Sequence, residues 1–554
     1  MKQKIMSTAL GLFLATVVSS CSENEPNSTN NTVAAEEKGL ATQLGKKLEN
    51  PYSVANMKKA LANLRKSKLN AKMAADDFEI TATHLYLKFI PKNEQELDVL
   101  KTDSTIVFYD YPLDYEIAIS GDYYRDPNIS EDQPTPLYCA VKVDVPVAKD
   151  NGKIKGNAKV LETVEKAILE ELFIPDEDFD TDENGTSNKT ANPAMRKING
   201  KMVSVAFIDA LVEEALRITN NLNNSTAQNK TLKTASSKWR PAGRIRVWDD
   251  YLQDYIGVEG AEVRARRWFT THRGWVGADG YYSCDGRFER EANYSIDWDR
   301  YDFAIQDHWL NGATNNGPKK EGNWDLNLKD DKQAYYATIF RAVHHYYYKD
   351  IKGLRRPPQN SFLRTKLRIR AYYESNDDIN GNLKATRRFL GLGSAIKIYN
   401  PQRRTEEIYG TVIHEVAHAS HWKMDKSNYN TMNDCDDTFL GLSCSGDSEV
   451  AESWARGVQW ELTRMVYPNY KGGATLLPKY TQVVVDMIDP NYNNESSNLN
   501  NGLYNDNVSG FSIRQIEDAL IGQKKWNDWK NNIKNKYNND TENNLDALFN
   551  YWGN

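Results

Sequence analysis

Three residues in the last third of the chain have the types and the spacing that zinc chemistry requires. His414, Glu415 and His418 lie in the stretch TVIHEVAHASHW, residues 411–422. Because side chains four residues apart lie one turn above each other on an α-helix, the two imidazoles can face one ion. Glu415 projects beside them and can act as general base on a water that the ion activates. The pattern predicts a zinc-dependent hydrolase of peptide bonds.

The residues around this pattern predict that it lies on a buried helix. Most of its close neighbours carry no charge, as a buried metal helix requires. Thr405 can serve as the N-cap, and Glu406 and Glu407 follow where the helix dipole favours anions. We therefore expect the helix to begin just after Thr405.

A second helix must complete the zinc site, because two histidines and a water leave tetrahedral zinc one protein ligand short. The segment 447–467 is predicted to be that helix, and it offers Glu449 and Glu452. Residues 452–455, Glu-Ser-Trp-Ala, resemble the Glu-x-x-Ala pattern of gluzincin metallopeptidases, in which the glutamate binds zinc. The resemblance implies Glu452 as third ligand of one Zn²⁺ per chain. Glu449 stays open as the alternative ligand or as a hydrogen-bond partner of a zinc histidine.

His421 lies on the same helix face, three residues after His418. One straight helix does not bring His414, His418 and His421 to one ion, since the outer pair differs by about 10 Å in rise. We expect His421 to support a ligand or to line the substrate pocket, with a plain surface histidine as the alternative. The metzincin pattern is disfavoured, because its glycine and third histidine are replaced here by His421 and Met424.

The elements ahead of the zinc helix resemble the upper part of zincin domains. Residues 331–348 predict a long aromatic helix, and residues 367–374 and 394–399 predict strands by their alternation. A helix, then strands ending at a sheet edge, then the zinc helix is the zincin order. His344 and His345 in the aromatic helix are interpreted as packing residues rather than ligands.

Length and composition indicate a multidomain α+β protein. The chain has 554 residues, of which 40% are hydrophobic, enough for more than one core. Its net charge of -6 gives no nucleic-acid signature. We expect an N-terminal α+β region, a central β-sandwich and a C-terminal zincin-like α+β metallopeptidase domain. The expected segments are a signal peptide (1–20), a disordered tether (21–45), an α+β domain (46–222), a linker (223–239), the β-sandwich (240–310) and the metallopeptidase domain (320–554).

Local patterns give the elements of the first two domains. Helices are predicted at 50–66, 160–173 and 203–216, and strands at 83–91 and 105–117. In the central part, Gly260-Ala261-Glu262-Val263 and the pair Asp279-Gly280 resemble the carboxypeptidase regulatory-like β-sandwich, usually a non-catalytic module. Arg264, Arg266 and Arg267 are expected on a solvated strand face, with a ligand patch as the alternative.

The first residues predict export and lipidation. Basic residues, a short apolar run and small residues precede Cys21. Val18-Ser19-Ser20-Cys21 resembles the bacterial lipoprotein signal, in which the cysteine is lipidated and becomes the first mature residue. The resemblance implies a lipid anchor in the outer membrane of a Gram-negative bacterium, at the cell surface or facing the periplasm. The anchor is the expected membrane contact.

Four further cysteines remain, and export permits them to form disulfides. Cys435 and Cys444 are close enough in sequence to close a small loop between the two zinc helices. The spacing Cys-x-x-Cys is absent, which disfavours zinc binding by cysteine.

Together these patterns predict a membrane-anchored exported zinc metallopeptidase whose partner is a protein or peptide substrate. The alternative is a non-catalytic surface binding or adhesion lipoprotein that uses a zincin scaffold. Intact Glu415 favours the enzyme, because a degenerate site has no chemical reason to retain the general base with both histidines. No pattern in the sequence specifies the substrate sequence or an oligomeric state.

Overall fold

Helices and strands follow one another in a mixed α+β order, which agrees with the expected fold class at that level. The computed structural model describes residues 41–66, 78–93, 96–97, 100–101, 106–130, 133–143, 164–175, 195–198, 201–222, 238–306, 312–360, 366–375, 381–383, 396–433, 447–472, 481–489 and 507–553. We call residues 41–222 the amino-terminal region, residues 238–328 the central region and residues 331–553 the carboxyl-terminal region.

The amino-terminal region holds small antiparallel sheets and two helices that pack together. Strand β1 pairs with β3, β2 lies between β4 and β5, and β6 forms a hairpin with β7. Apolar side chains from both helices, among them Leu61 and Leu211, form one core. The elements are β1 (Gln43–Lys47), α1 (Val54–Lys66), β2 (His84–Phe89), β3 (Tyr115–Ile119), β4 (Leu137–Lys142), β5 (Lys166–Leu172), β6 (Met195–Ile198), β7 (Lys201–Ser204) and α2 (Val205–Ile218).

The prediction of a helix at 160–173 is wrong for the residues that the structure describes. Lys166–Leu172 is strand β5, antiparallel to β2. Its Glu, Leu and Lys residues favour a helix, but the backbone hydrogen bonds to β2 outweigh that preference. The strand expected at 105–117 is also shorter, since Tyr109 makes one isolated bridge and β3 begins at Tyr115. Pro112 lies between them and has no N–H for a sheet.

The central region contains two four-stranded sheets. One has the order β11-β10-β13-β15, and the other has the order β12-β8-β16 with β9 also paired to β8. Val247 of one sheet and Val263 and Ile296 of the other are fully buried in one core. The strands are β8 (Ala242–Asp249), β9 (Asp254–Gly257), β10 (Glu262–Arg267), β11 (Thr270–Trp275), β12 (Tyr281–Ser283), β13 (Ala292–Asp297), β14 (Phe303–Gln306), β15 (Thr314–Lys320) and β16 (Leu326–Leu328).

The sheets of the central and carboxyl-terminal regions interleave along the chain. Strand β14 pairs in parallel with β17 (Leu367–Ala371) of the carboxyl-terminal sheet. Later in sequence, β15 pairs with β13 and β16 pairs with β8, back in the central sheets. The central sheets therefore include strands that follow residue 310, where the sequence suggested that the central domain ends.

The carboxyl-terminal region combines one sheet, of order β14-β17-β19-β18, with a set of helices. Helix α3 begins after Asp331, whose carboxylate caps it by accepting a bond from Ala334 N at 2.6 Å. Helix α4 packs against both α3 and α6. The remaining elements are α3 (Lys332–Tyr348), β18 (Gly381–Leu383), β19 (Ile396–Ile398), α4 (Thr405–Met424), α5 (Lys426–Asn433), α6 (Ser448–Arg464), α7 (Val483–Ile488), α8 (Ile513–Leu520), α9 (Trp526–Lys536) and α10 (Leu545–Trp552).

A buried ion pair joins the central region to these helices. Asp249, at the end of β8, is fully buried. Its Oδ2 accepts from Arg341 of α3 at 3.0 Å and from the Tyr467 hydroxyl, just after α6, at 2.8 Å. Both partners compensate the cost of burying the carboxylate. This contact fixes β8 against the two helices.

Some predicted features fall on residues outside the described ranges. These are the signal segment with Cys21, nearly all of the tether and the linker, and the pair Cys435 and Cys444. Cys139 and Cys284 are buried free thiols. Within the described ranges, no helix is both long enough and apolar enough to cross a membrane.

Candidate metal centre

Helix α4 carries the two histidines, and its first turn is held by the central region. Thr405 is the first helical residue rather than the N-cap that the sequence suggested, and Arg404 at the N-cap makes no side-chain cap. The cap comes instead from Asp250, whose Oδ1 accepts from Thr405 N at 2.8 Å. Asp250 N donates in return to Thr405 Oγ1 at 3.3 Å. A carboxylate at this end of a helix also favours the helix dipole.

Helix α6 brings the third donor to the two histidines. His414 Nε2 lies 3.1 Å from His418 Nε2 and 3.2 Å from Glu452 Oε2. His418 Nε2 lies 3.1 Å from the same carboxylate oxygen. Within the described part of the chain, these residues form the one group of three or more His, Cys, Asp or Glu side chains arranged to hold a metal.

The geometry of this group fits a tetrahedral zinc ion. Nitrogen and oxygen ligands at about 2.1 Å from zinc lie about 3.4 Å from each other at tetrahedral angles. The three observed separations, 3.1 to 3.2 Å, are within a few tenths of that distance. Two imidazoles and one carboxylate are also a common donor set for catalytic zinc, which keeps a fourth position open.

Electrostatic interactions keep the Glu452 carboxylate ionised beside the imidazole rings of His414 and His418. Burial favours the neutral form of Glu452, but the charge of His418 and the hydrogen bonds from both histidines hold the pKa of this carboxyl well below its usual range. Burial lowers the pKa of His414, whereas for His418 the attraction of Glu452 outweighs burial and raises the pKa. A buried carboxylate facing ring nitrogens matches the needs of a divalent cation.

Glu415 is buried next to this group on α4. Burial is the main cause that raises the pKa of Glu415 to about 8, while the charge of His418 acts in the opposite direction. A carboxyl group withdrawn from bulk water in this way is typical of general bases and acids.

The two open assignments, Glu449 and His421, lie apart from the donor atoms. Glu449 belongs to the first turn of α6 but not to the group of three donors. His421 is fully buried, and its ring packs against Tyr429 with centroids 5.1 Å apart. Neither nitrogen of His421 has a hydrogen-bond partner among the described residues. Of the two glutamates, the structure therefore brings Glu452 to the histidines.

Two nearby side chains were not singled out from the sequence. Arg456 is buried on α6 and acts electrostatically on His414. Its spacing of four residues from Glu452 places it on the same helix face, which is a signal that the sequence contains. Tyr429 of α5 packs edge-on against His418, with centroids 5.9 Å apart. No pattern marks it among 31 tyrosines.

Close packing around Tyr470 fixes the position of α4 relative to α6. A Cβ atom at Gly410 would lie 2.3 Å from the Tyr470 hydroxyl, so only glycine admits this contact on α4. The same hydroxyl accepts a hydrogen bond from Gln459 of α6 at 2.6 Å. Tyr470 thus bridges the two helices that carry the donors.

Comparisons with known proteins give no family for this chain: no family model, no curated protein and no solved structure matches it.

Proposed function

We propose that this chain is a zinc-dependent metallopeptidase of the gluzincin type, acting on protein or peptide substrates. The observation that supports the proposal is the convergence of three donor atoms from α4 and α6 within 3.2 Å of one another. His414, His418 and Glu452 would hold one Zn²⁺, and Glu415 lies next to His414 in the same helix. On this proposal the central region is the β-sandwich module, and the carboxyl-terminal region is the zincin-like domain.

The bound zinc would polarise the scissile carbonyl and lower the pKa of a water. Glu415 would take a proton from that water as the water oxygen bonds to the carbonyl carbon, and would pass the proton to the amide nitrogen as the carbon–nitrogen bond breaks. The products are a carboxylic acid and an amine, which exchange a proton to become a carboxylate and an ammonium group. Because Glu415 is buried, bulk water would screen its interaction with the reacting atoms only weakly.

The proposed place of action is outside the inner membrane. Lipidation at Cys21 would anchor the chain in the outer membrane, with membrane contact through the anchor. The rival function, a non-catalytic binding or adhesion lipoprotein on the same scaffold, makes no use of a general base. Retention of Glu415 beside a complete donor set favours the enzyme over this rival.

The decisive experiment compares wild type with Glu415→Gln, both purified from Ser22 onward. Zinc content is measured by mass spectrometry of the metal, and cleavage is measured on a mixed peptide library. We expect one zinc per chain in both proteins and cleavage by wild type alone. Folded protein without zinc, or equal cleavage by both proteins, would overturn the proposal.

A further inference from the structure

A cavity separate from the metal group lies where the three regions meet. It has a volume of about 660 Å³ and is lined by residues 106 and 108–111, by one face of the central sheet β11-β10-β13-β15, and by His344 and Lys366. None of the three donor residues, nor Glu415, lines it. Its volume is in the range of pockets that hold small organic ligands.

The floor of this cleft is the polar face of a half-buried sheet. Glu262 on β10 lies opposite Trp275 on one side and Asp297 on the other. One row further, Arg264 lies opposite Ser295. All five of these side chains line the cavity, whereas Val263 and Ala265 of β10 and Tyr294 of β13 belong to the core. The floor is therefore a regular array of hydrogen-bonding groups.

The charged groups that line the cleft balance in number, with five basic side chains (Lys101, Arg264, Arg273, Arg300 and Lys366) and five acidic ones (Asp110, Glu259, Glu262, Asp297 and Asp299). Arg264 donates to Glu262 at 2.8 Å and pairs with Asp297 at 2.8 Å. At the side of the cleft, Lys366 pairs with Asp299 at 2.6 Å. A charged ligand would have to compete with these short pairs, which are largely shielded from solvent. An uncharged ligand can use the lone pairs that remain on the carboxylates, since each offers about four acceptor positions.

One carboxylate has clear capacity for a ligand. Asp110 lines the cleft from the amino-terminal region and accepts a hydrogen bond from Tyr124 N at 3.1 Å. Lys101, also in the wall, attracts it electrostatically. A pair of hydroxyl groups can donate to this carboxylate without bringing a further charge into the cleft.

Flat aromatic rings complete the lining. Trp275 and Tyr301 keep 49% and 53% of their surface exposed, which is high for such large side chains. The Arg300 guanidinium lies 4.5 Å from the centroid of the Trp275 ring, within cation–π distance. Phe108 and Tyr109, from the amino-terminal region, add apolar surface to the lining. Such rings pack against ligands that have flat apolar faces.

We propose that this cleft binds an uncharged oligosaccharide. Sugar rings combine hydroxyl groups at their edges with apolar carbon–hydrogen faces, which matches internally neutralised polar groups between exposed aromatic rings. A peptide is a poorer match, because its termini and charged side chains meet ion pairs that are already satisfied. The site is separate from the proposed peptidase chemistry and does not depend on zinc.

The test uses the chain from Ser22 onward on an array of neutral oligosaccharides, alongside sialylated and sulfated glycans and a peptide array. The best neutral glycan is then titrated calorimetrically. We expect binding to a neutral glycan that changes less than about twofold between 0.05 and 0.5 M salt, since uncharged ligands are not screened. Binding to anionic glycans or peptides alone, or no binding at millimolar ligand, would overturn the proposal.

Variants locate the binding in the cleft. Trp275→Ala and Asp110→Asn should each weaken binding at least tenfold, and Tyr301→Ala provides a second exposed aromatic if one variant fails to fold. Tyr281→Ala is the matched control, because this ring is 46% exposed but does not line the cavity. Equal affinity of folded Trp275→Ala and Tyr281→Ala would place the glycan elsewhere. Zinc content should be the same in all variants.

Discussion

The carboxylate of Asp250 caps the helix that begins at Thr405, across 155 residues of sequence. Helix α4 therefore takes its side-chain cap from the residue that follows strand β8, and not from the side chain of its own N-cap residue. The neighbouring Asp249 is bonded to α3 and to the segment after α6. Two consecutive aspartates of the central region thus position the elements that carry the donors.

Loss of this cap should destabilise the protein. We expect Asp250→Ala to lower the free energy of unfolding by about 1 kcal/mol, the usual cost of removing a capping side chain. Asp250→Asn keeps an acceptor oxygen and should cost much less. Denaturant unfolding followed by tryptophan fluorescence measures the change. Asp254→Ala, at an exposed aspartate of the same region, is the control. Equal stability of the Asn and Ala variants would show that the cap contributes nothing.

The two glutamates of α6 should differ sharply in their effect on zinc. We expect Glu452→Gln to weaken zinc binding by more than about a hundredfold, because loss of an indirect hydrogen bond already costs 10 to 100-fold. Glu449→Gln should leave affinity within about threefold, since Glu449 lies outside the donor group. Competition with a coloured chelator measures both constants. The reverse order would assign the third ligand to Glu449.

The buried ion pair should be more sensitive to the loss of one partner than surface pairs are. Arg341→Met leaves Asp249 buried without its countercharge, which costs roughly 3 to 5 kcal/mol. Tyr467→Phe removes one hydrogen bond to the same carboxylate and should cost roughly 1 to 3 kcal/mol. Arg404→Met is the control, because that side chain is 66% exposed in its ion pairs and its loss should cost less than about 1 kcal/mol. Chemical denaturation gives the order, and a small cost for Arg341→Met would contradict the network.

His344 should make stability depend on pH. Burial lowers its pKa from 6.5 to about 4, so between these values the unfolded chain binds the proton that the folded chain rejects. Stability is then present above pH 6.5 and declines as the pH falls towards 4, by roughly 3 kcal/mol at most. His344→Phe and His344→Gln cannot titrate and should flatten this slope. The other charged or titratable groups that act on the ring are Glu259, Arg300, Lys349 and His345. An unchanged slope in both variants would assign the pH dependence to other groups.

Thiol counting tests the expected disulfide between Cys435 and Cys444. The protein purified from Ser22 onward, which lacks Cys21, retains four cysteines, of which Cys139 and Cys284 are buried free thiols. Alkylation of unfolded, unreduced protein should therefore label two thiols, and reduction should raise the number to four. Mass spectrometry of the intact protein reads both numbers. Four labelled thiols before reduction would exclude the bridge.

Sequence patterns were sufficient to predict the features that depend on interactions between residues close together in sequence. The spacing of His414 and His418 on a helix, and the alternation that predicts strands at 367–374 and 394–399, follow from residue periodicity. Glu452 came from a short resemblance, and the structure brings its carboxylate to the histidines. Helix α3 begins after Asp331, where the sequence places it.

Distant partners explain what the sequence did not predict. Residues 166–172 form a strand because β2 lies beside them, and Thr405 is capped by a residue that no window around it contains. Tyr429 approaches His418 through the turn into α5. The cleft at the junction of the three regions needs strand register and docking together, neither of which is encoded in a local pattern.

Strand β14 belongs to the carboxyl-terminal sheet, whereas β15 and β16, which follow it in sequence, belong to the central sheets. The central and carboxyl-terminal regions therefore cannot be separated at one point of the chain. A gene truncation or fusion point placed between residues 306 and 314 would leave β17 without its parallel neighbour β14, and would deprive β13 and β8 of the strands that follow. Recombination can exchange a module that begins and ends on one sheet, but here neither part can be exchanged without breaking the other. The metal group and the cleft therefore lie in one stretch of chain that has to be kept whole for either to keep its strands.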